Sequence, residues 1–229
     1  MRALMVIGAV FVACLPRVPD NDVYGSPCAA TLDEITCLHA EEFCPQCPGI
    51  QVNLGIIAQG RGDKVKARER YIKAIRLNQE MAQAYNNLGV LDLEDREPGK
   101  AVQRFERALK VNPDYNEARH NLGLAHWRLG KLDEAERDFR HMLVANAQLA
   151  QPYGSLGALE LERNRPAEAV RWLEQAVLMT PTWVDAWRSL GAAREQLGLR
   201  AEAASAYESC LDYAPSEDRL CLEGVQRNR

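Results

Sequence analysis

One spacing constrains this chain more than any other feature. Asn87-Leu88-Gly89 returns 34 residues later as Asn121-Leu122-Gly123, then as Ser155-Leu156-Gly157 and Ser189-Leu190-Gly191, and Asn53-Leu54-Gly55 stands one period earlier. Two more series keep the same step: Ala67, Ala101, Ala135, Ala169 and Ala203, and Tyr71, Phe105, Phe139, Leu173 and Tyr207. Several series in phase mark a repeat architecture, in which one unit cannot bury its apolar side alone and neighbours must stack. Small residues such as Gly89 and Ala101 let two helices approach closely, while the large residues fill the space between hairpins. The expected unit is a helical hairpin and the expected fold class is all-α.

The same residues resemble the tetratricopeptide repeat (TPR) family. In Ala82–Tyr115, the aromatic, Leu-Gly, Ala, aromatic, Ala and Pro places of that family's pattern are filled by Tyr85, Leu88, Gly89, Ala101, Phe105, Ala108 and Pro113. The resemblance implies a right-handed solenoid of five hairpins over residues 48–81, 82–115, 116–149, 150–183 and 184–217. The first repeat is the most degenerate, with Gly49, Gly60 and Gly62 in or beside its first helix and Gln79 at the Pro place. The third carries Arg119 at the aromatic place, Met142 at the second Ala place and Ala147 at the Pro place. Pro113, Pro181 and Pro215 end their helices by removing a backbone donor and pushing the preceding residue out of the α region. Residues 218–229 begin a sixth hairpin and are expected to form one capping helix, with Cys221 at the place of Tyr85, Tyr153 and Trp187.

Ahead of the repeats, residues 1–13 hold an apolar run after Arg2, too short for a membrane-spanning helix, which needs about 20 residues, and suited to an export signal. Phe11-Val12-Ala13-Cys14 resembles a bacterial lipobox, although Phe11 departs from the usual Leu. That resemblance implies lipidation, including palmitate, at Cys14 and a lipoprotein of the bacterial cell envelope, sorted to the outer membrane and facing the periplasm. An ordinary or uncleaved signal and a mis-started chain are the alternatives. Residues 14–27 hold three prolines and a glycine and read as a tether.

Five of the seven cysteines precede Pro48. Residues 28–47 form a Cys-rich segment in which Thr31 and Glu34 match a capping box, placing a short helix from Leu32 to about Phe43. For Cys28, Cys37, Cys44 and Cys47 three readings stand. They form two disulfides with the pairing open, or a Cys₄ zinc site, or a thioredoxin-like redox centre at Cys44-Pro-Gln-Cys47. Disulfides are the reading taken, and no metal or other cofactor is expected. Cys210 and Cys221 flank the turn at Pro215-Ser216 symmetrically, so an antiparallel helix pair brings them level, and a disulfide is expected there.

The net charge is −4 and the basic residues are spread along every repeat, which argues against nucleic acid. His39, His120, His126 and His141 form no metal-ligand pattern, and no nucleophile elbow, Walker loop or HExxH is present. Catalytic residues are therefore expected to be none, a small-molecule substrate is not expected, and function falls to the surface. The family resemblance implies a concave face lined by the first helix of each hairpin, binding a protein or an extended peptide. Carried onto this chain, it gives Asn53, Asn86, Asn87, Val90, His120, Asn121, Leu124, Trp127, Arg128 and Arg188. Asn53, Asn87 and Asn121 resemble the asparagine ladder of peptide-binding TPRs, because an amide offers donor and acceptor together. Equally, such an asparagine can bond the neighbouring helix. Arg128 and Arg188 would clamp a carboxylate, and Val90 and Trp127 would supply apolar contact.

The expected function is a protein-binding scaffold that assists assembly of a membrane complex, held to the membrane by its lipid. The build resembles the pilotins of type IV pilus secretins. A redox or metal-handling accessory factor built on the Cys-rich segment and a cytosolic TPR adaptor are the alternatives.

Overall fold

The computed structural model describes residues 34–214 and 218–229, and among these all regular structure is helical. The expectations for residues 1–13, Cys14, the tether, Cys28 and Pro215 lie outside the described residues. The chain divides into two compact units, one through Ala84 and one from Tyr85 onward.

The first unit contains α1 (Glu34–Phe43), α2 (Pro48–Gly60) and α3 (Lys64–Leu77). The hairpin of α2 and α3 closes on Tyr71, fully buried against Gly55, where a β-carbon would collide with the ring. The Tyr71 hydroxyl donates to Gln59 Oε1 at 2.9 Å, so the buried phenol is satisfied. Asp63 starts α3 by accepting from the Lys66 amide at 3.0 Å.

Short α1 buries Cys37 as its one fully covered side chain. Charge fixes the helix to the hairpin. Glu34 pairs with Arg61 and, at 3.2 Å, with Lys66, while Glu41 pairs with Arg70 and Lys73 at 2.7 Å and accepts from Gln51 at 3.0 Å. Burial pushes the Glu41 carboxyl upward, but the hydrogen bonds from Lys73, Gln51 and Arg70 prevail and hold it at about 2.

In the second unit the helices alternate in two sets. The first helices of the hairpins are α4 (Ala82–Glu94, belonging here from Tyr85), α6 (Asn116–Arg128), α8 (Ala150–Glu162) and α10 (Val184–Gln196). The second helices are α5 (Pro98–Val111), α7 (Leu132–Ala145), α9 (Pro166–Met179) and α11 (Arg200–Tyr213), and α12 (Arg219–Asn228) follows. Each second helix presses one side chain onto a glycine sixteen residues earlier: Phe105 on Gly89, Phe139 on Gly123, Leu173 on Gly157 and Tyr207 on Gly191. A β-carbon at Gly89 or Gly123 would lie 2.5 Å from the ring. The two period-matched series are thus the two halves of one seam. Because α5, α7 and α9 also pack on the first helix of the following hairpin, the seams join into a layered core.

Every turn inside a hairpin passes through a left-handed backbone residue at the same register: Gly62, Arg96, Gly130, Asn164 and Gly198. Glycine adopts this conformation freely and asparagine tolerates it, whereas Arg96, at φ 60°, carries steric strain.

In the third hairpin Arg119, at the aromatic place, lies 3.6 Å from Asp138, which also bonds His126 Nδ1 at 2.8 Å. A polar cluster therefore fills the space that a ring fills elsewhere. At the end of the unit Tyr207 is flanked by Gly191 and Gly224, and a disulfide joins Cys210 to Cys221 with a Cα separation of 6.2 Å. Both sulfurs are buried with Ala203, Tyr207 and Val225. Asp218 caps α12 through the Cys221 amide at 3.1 Å.

Candidate peptide-binding face

The first helices of the second unit are neighbours, and side chains one repeat plus one residue apart bridge them. Asn121 Nδ2 donates to Asn86 Oδ1 at 2.9 Å, and Asn86 Nδ2 donates to Asn87 Oδ1 at 3.3 Å. His120 Nε2 and Ser155 Oγ are 3.0 Å apart. Further along the helices, Arg128 Nη1 donates to the Leu93 carbonyl at 2.8 Å, and Trp127 Nε1 donates to Glu162. Residues 86 and 121, 120 and 155, 93 and 128, and 127 and 162 thus share one 35-residue offset. The brace lapses in the fourth repeat because the residue matching Asn86 and His120 is Gly154, packed under the Trp183 ring.

This geometry sorts the residues expected from the sequence. Asn53, in the first unit, is 3 % exposed and Asn86 is 6 % exposed, so neither amide stands open to a partner. Asn86 spends its side chain on Asn87 and Asn121, and Asn53, although in register with Asn87, is buried. Asn87, Val90, Asn121 and Leu124 remain half-exposed on the first-helix face. His120 is half-buried, and burial lowers its pKa, which keeps the imidazole neutral. Leu124 and Trp127 rest on the cluster of Ala135, Phe139, Leu156 and Leu159. Trp127 has its N–H satisfied, so it offers a ring rather than a donor.

The two arginines differ from the expected carboxylate clamp. Arg188 already lies between Asp185 and Asp218, the latter at 3.1 Å, and its charge is balanced there. Arg128 is exposed, but one of its N–H groups caps the C-terminal end of α4 through Leu93.

Sequence reasoning missed Glu162 and the Leu93 carbonyl as bracing partners. The signal was present as an offset of one residue beyond the period, but the partners change type from repeat to repeat. The resulting face carries a strip of neutral polar groups, Asn87, Asn121, Ser155 and Ser189, beside the apolar Val90 and Leu124. Charges stand toward the helix ends, at Glu94, Arg128 and Glu162.

Residues 91–150 and 155–218 match the sequence profile described as tetratricopeptide repeat. No curated protein matches the chain in sequence. Among solved structures, the chain is similar to PilF of Pseudomonas aeruginosa, with 19 % identity and a TM-score of 0.72 over 85 % of this chain and 88 % of that one. It is also similar to PilW, described as a widely conserved type IV pilus biogenesis factor, with 18 % identity and a TM-score of 0.72 over 84 % and 87 %. YrrB, described as a TPR protein with an unusual peptide-binding site, aligns at 18 % identity and a TM-score of 0.62 over 85 % and 99 %. At these identities the likeness is one of fold.

Proposed function

Because this chain belongs to the tetratricopeptide repeat family, whose helical hairpins build an all-α solenoid that supports protein–protein interaction, we propose that it is a scaffold that binds an extended peptide segment of a partner protein along α4, α6, α8 and α10. The carrying observation is the neutral strip from Asn87 through Asn121 to Ser155. After the lateral bonds are made, Asn121 Oδ1 and Asn87 Nδ2 make no bond to a neighbouring helix among the described residues, and an acceptor and a donor on one face suit peptide main chain. Val90, Leu124 and the Trp127 ring supply apolar contact for alternate side chains. The test is selection of peptides from a random displayed library on the full chain, followed by fluorescence anisotropy. Replacing Asn87 and Asn121 together by Ala should weaken a selected peptide by about 10-fold or more. Leu178→Ala, on the exposed side of α9, should leave its affinity unchanged. Equal affinity for all three proteins would remove the assignment.

We further propose that the chain acts in the bacterial envelope as a lipoprotein anchored at Cys14, assisting assembly of a membrane complex. The lipobox-like Phe11–Cys14 run and the disulfide-bonded cysteines support this reading, since disulfides persist in oxidising compartments. An intact mass from the native membrane fraction tests it. Acylation on a chain starting at Cys14 is the expected result, and an unacylated full-length chain would end the proposal.

A further inference from the structure

The two disulfides joining described residues differ in the features that govern thiol exchange. Cys210 and Cys221 are fully buried among apolar side chains. Cys44 and Cys47 are half-exposed, and the two residues between them, Pro45 and Gln46, are exposed. The position in the fold differs as well. Cys47 is the N-cap of α2, a 13-residue helix with Pro48 in its first turn and no side chain capping it. The amides at an uncapped helix start, together with the helix dipole, favour a negative charge there. A thiolate so placed is stabilised and leaves more readily in exchange. The nearby acid Glu41 is neutralised by Arg70 and Lys73, so it does not oppose that charge. Cys37, buried in the same cluster, is also disulfide-bonded and leaves no third free thiol among the described residues to resolve the pair internally.

We propose that Cys44–Cys47 is an exchangeable disulfide that oxidises a dithiol of a partner protein. A partner thiolate attacks Cys44 Sγ, the Cys44–Cys47 bond breaks, and the electron pair leaves on Cys47 Sγ as a thiolate at the start of α2. The partner's second thiol gives up its proton and attacks the partner sulfur of the mixed disulfide. That step forms the partner's disulfide and releases Cys44, which takes up a proton. Two electrons pass from the partner dithiol to the Cys44/Cys47 pair. The direction of attack follows from the fold, because the helix begins after the second cysteine and so stabilises Cys47 as leaving group.

The probe is dithiothreitol. The full native chain is equilibrated at graded ratios of reduced to oxidised dithiothreitol, quenched, alkylated and read by peptide mass. Cys44–Cys47 should open at a ratio about 100-fold or more lower than Cys210–Cys221. Once open, Cys47 should alkylate about 10-fold faster than Cys44 at neutral pH. A Cys44→Ala, Cys47→Ala chain that keeps its helical circular dichroism would show that the pair is dispensable for folding, as the proposal expects. Joint opening of the two pairs, greater resistance of Cys44–Cys47, or equal labelling of its two sulfurs would overturn the proposal.

Discussion

The inside of each hairpin and the face where first helices meet follow different rules. Inside, one contact is copied at a strict 34-residue step, glycine against a ring or, once, Leu173. On the face, the step is 35 residues and the chemistry changes at every copy: amide to amide, imidazole to hydroxyl, guanidinium to carbonyl, indole to carboxylate. A close-packed seam tolerates little change in volume. A lateral polar bridge needs only a donor opposite an acceptor. The fold is thus carried by the uniform contact, and the face proposed to bind a partner is where the contact varies.

The largest effect expected from this contrast is in the seam. Phe105→Ala should destabilise the second unit by about 3–5 kcal/mol, and Gly123→Ala, which forces a β-carbon into the Phe139 ring, by about 1–3 kcal/mol. Denaturant unfolding of the full chain measures both. Effects below 1 kcal/mol would show that the seam is not what holds the hairpins.

On the face, Asn121→Ala should lower stability by only about 1 kcal/mol, since it removes one hydrogen bond to Asn86. The same variant should weaken a selected peptide by several-fold. Stability loss without affinity loss would make Asn121 a brace and nothing more.

A comparable effect of opposite sign is expected at a turn. Arg96→Gly should stabilise by about 1 kcal/mol, because it relieves the left-handed strain that Gly62, Gly130 and Gly198 avoid. Asn164→Gly should gain less. The melting temperatures of the two variants give the comparison.

The smallest effect is expected on global unfolding, at α1. Glu41 titrates at about 2 in the folded chain, below an ordinary glutamate near ~4.3. Its folded value is depressed, so its contribution is complete above the unfolded pKa and disappears as pH falls from about 4.3 toward 2. Amide hydrogen exchange should show α1 losing protection across that window, and Glu41→Gln should remove the dependence.

The seam was legible in the sequence because it reuses the same residue types at one period. The face was legible only in part. Asn87 and Asn121 are half-exposed on the first-helix face, but Asn53, at the same register as Asn87, is buried, and so is Asn86, because burial depends on what packs beside each copy and periodicity does not encode that. Arg188 looked free until Asp218, thirty residues away, was placed beside it. The Cys210–Cys221 pair followed from symmetry about a turn. The partner of Cys44 did not follow, because four cysteines allow three pairings and only geometry selects one.

The most direct test of the central claim places a photo-crosslinking amino acid at position 90 on the first-helix face and, separately, at position 178 on the outer side of α9, with a selected peptide as probe. Adducts at position 90 that unlabelled peptide competes away, with none at position 178, are what the account predicts. Adducts at position 178, or labelling at position 90 that competitor does not reduce, would contradict it.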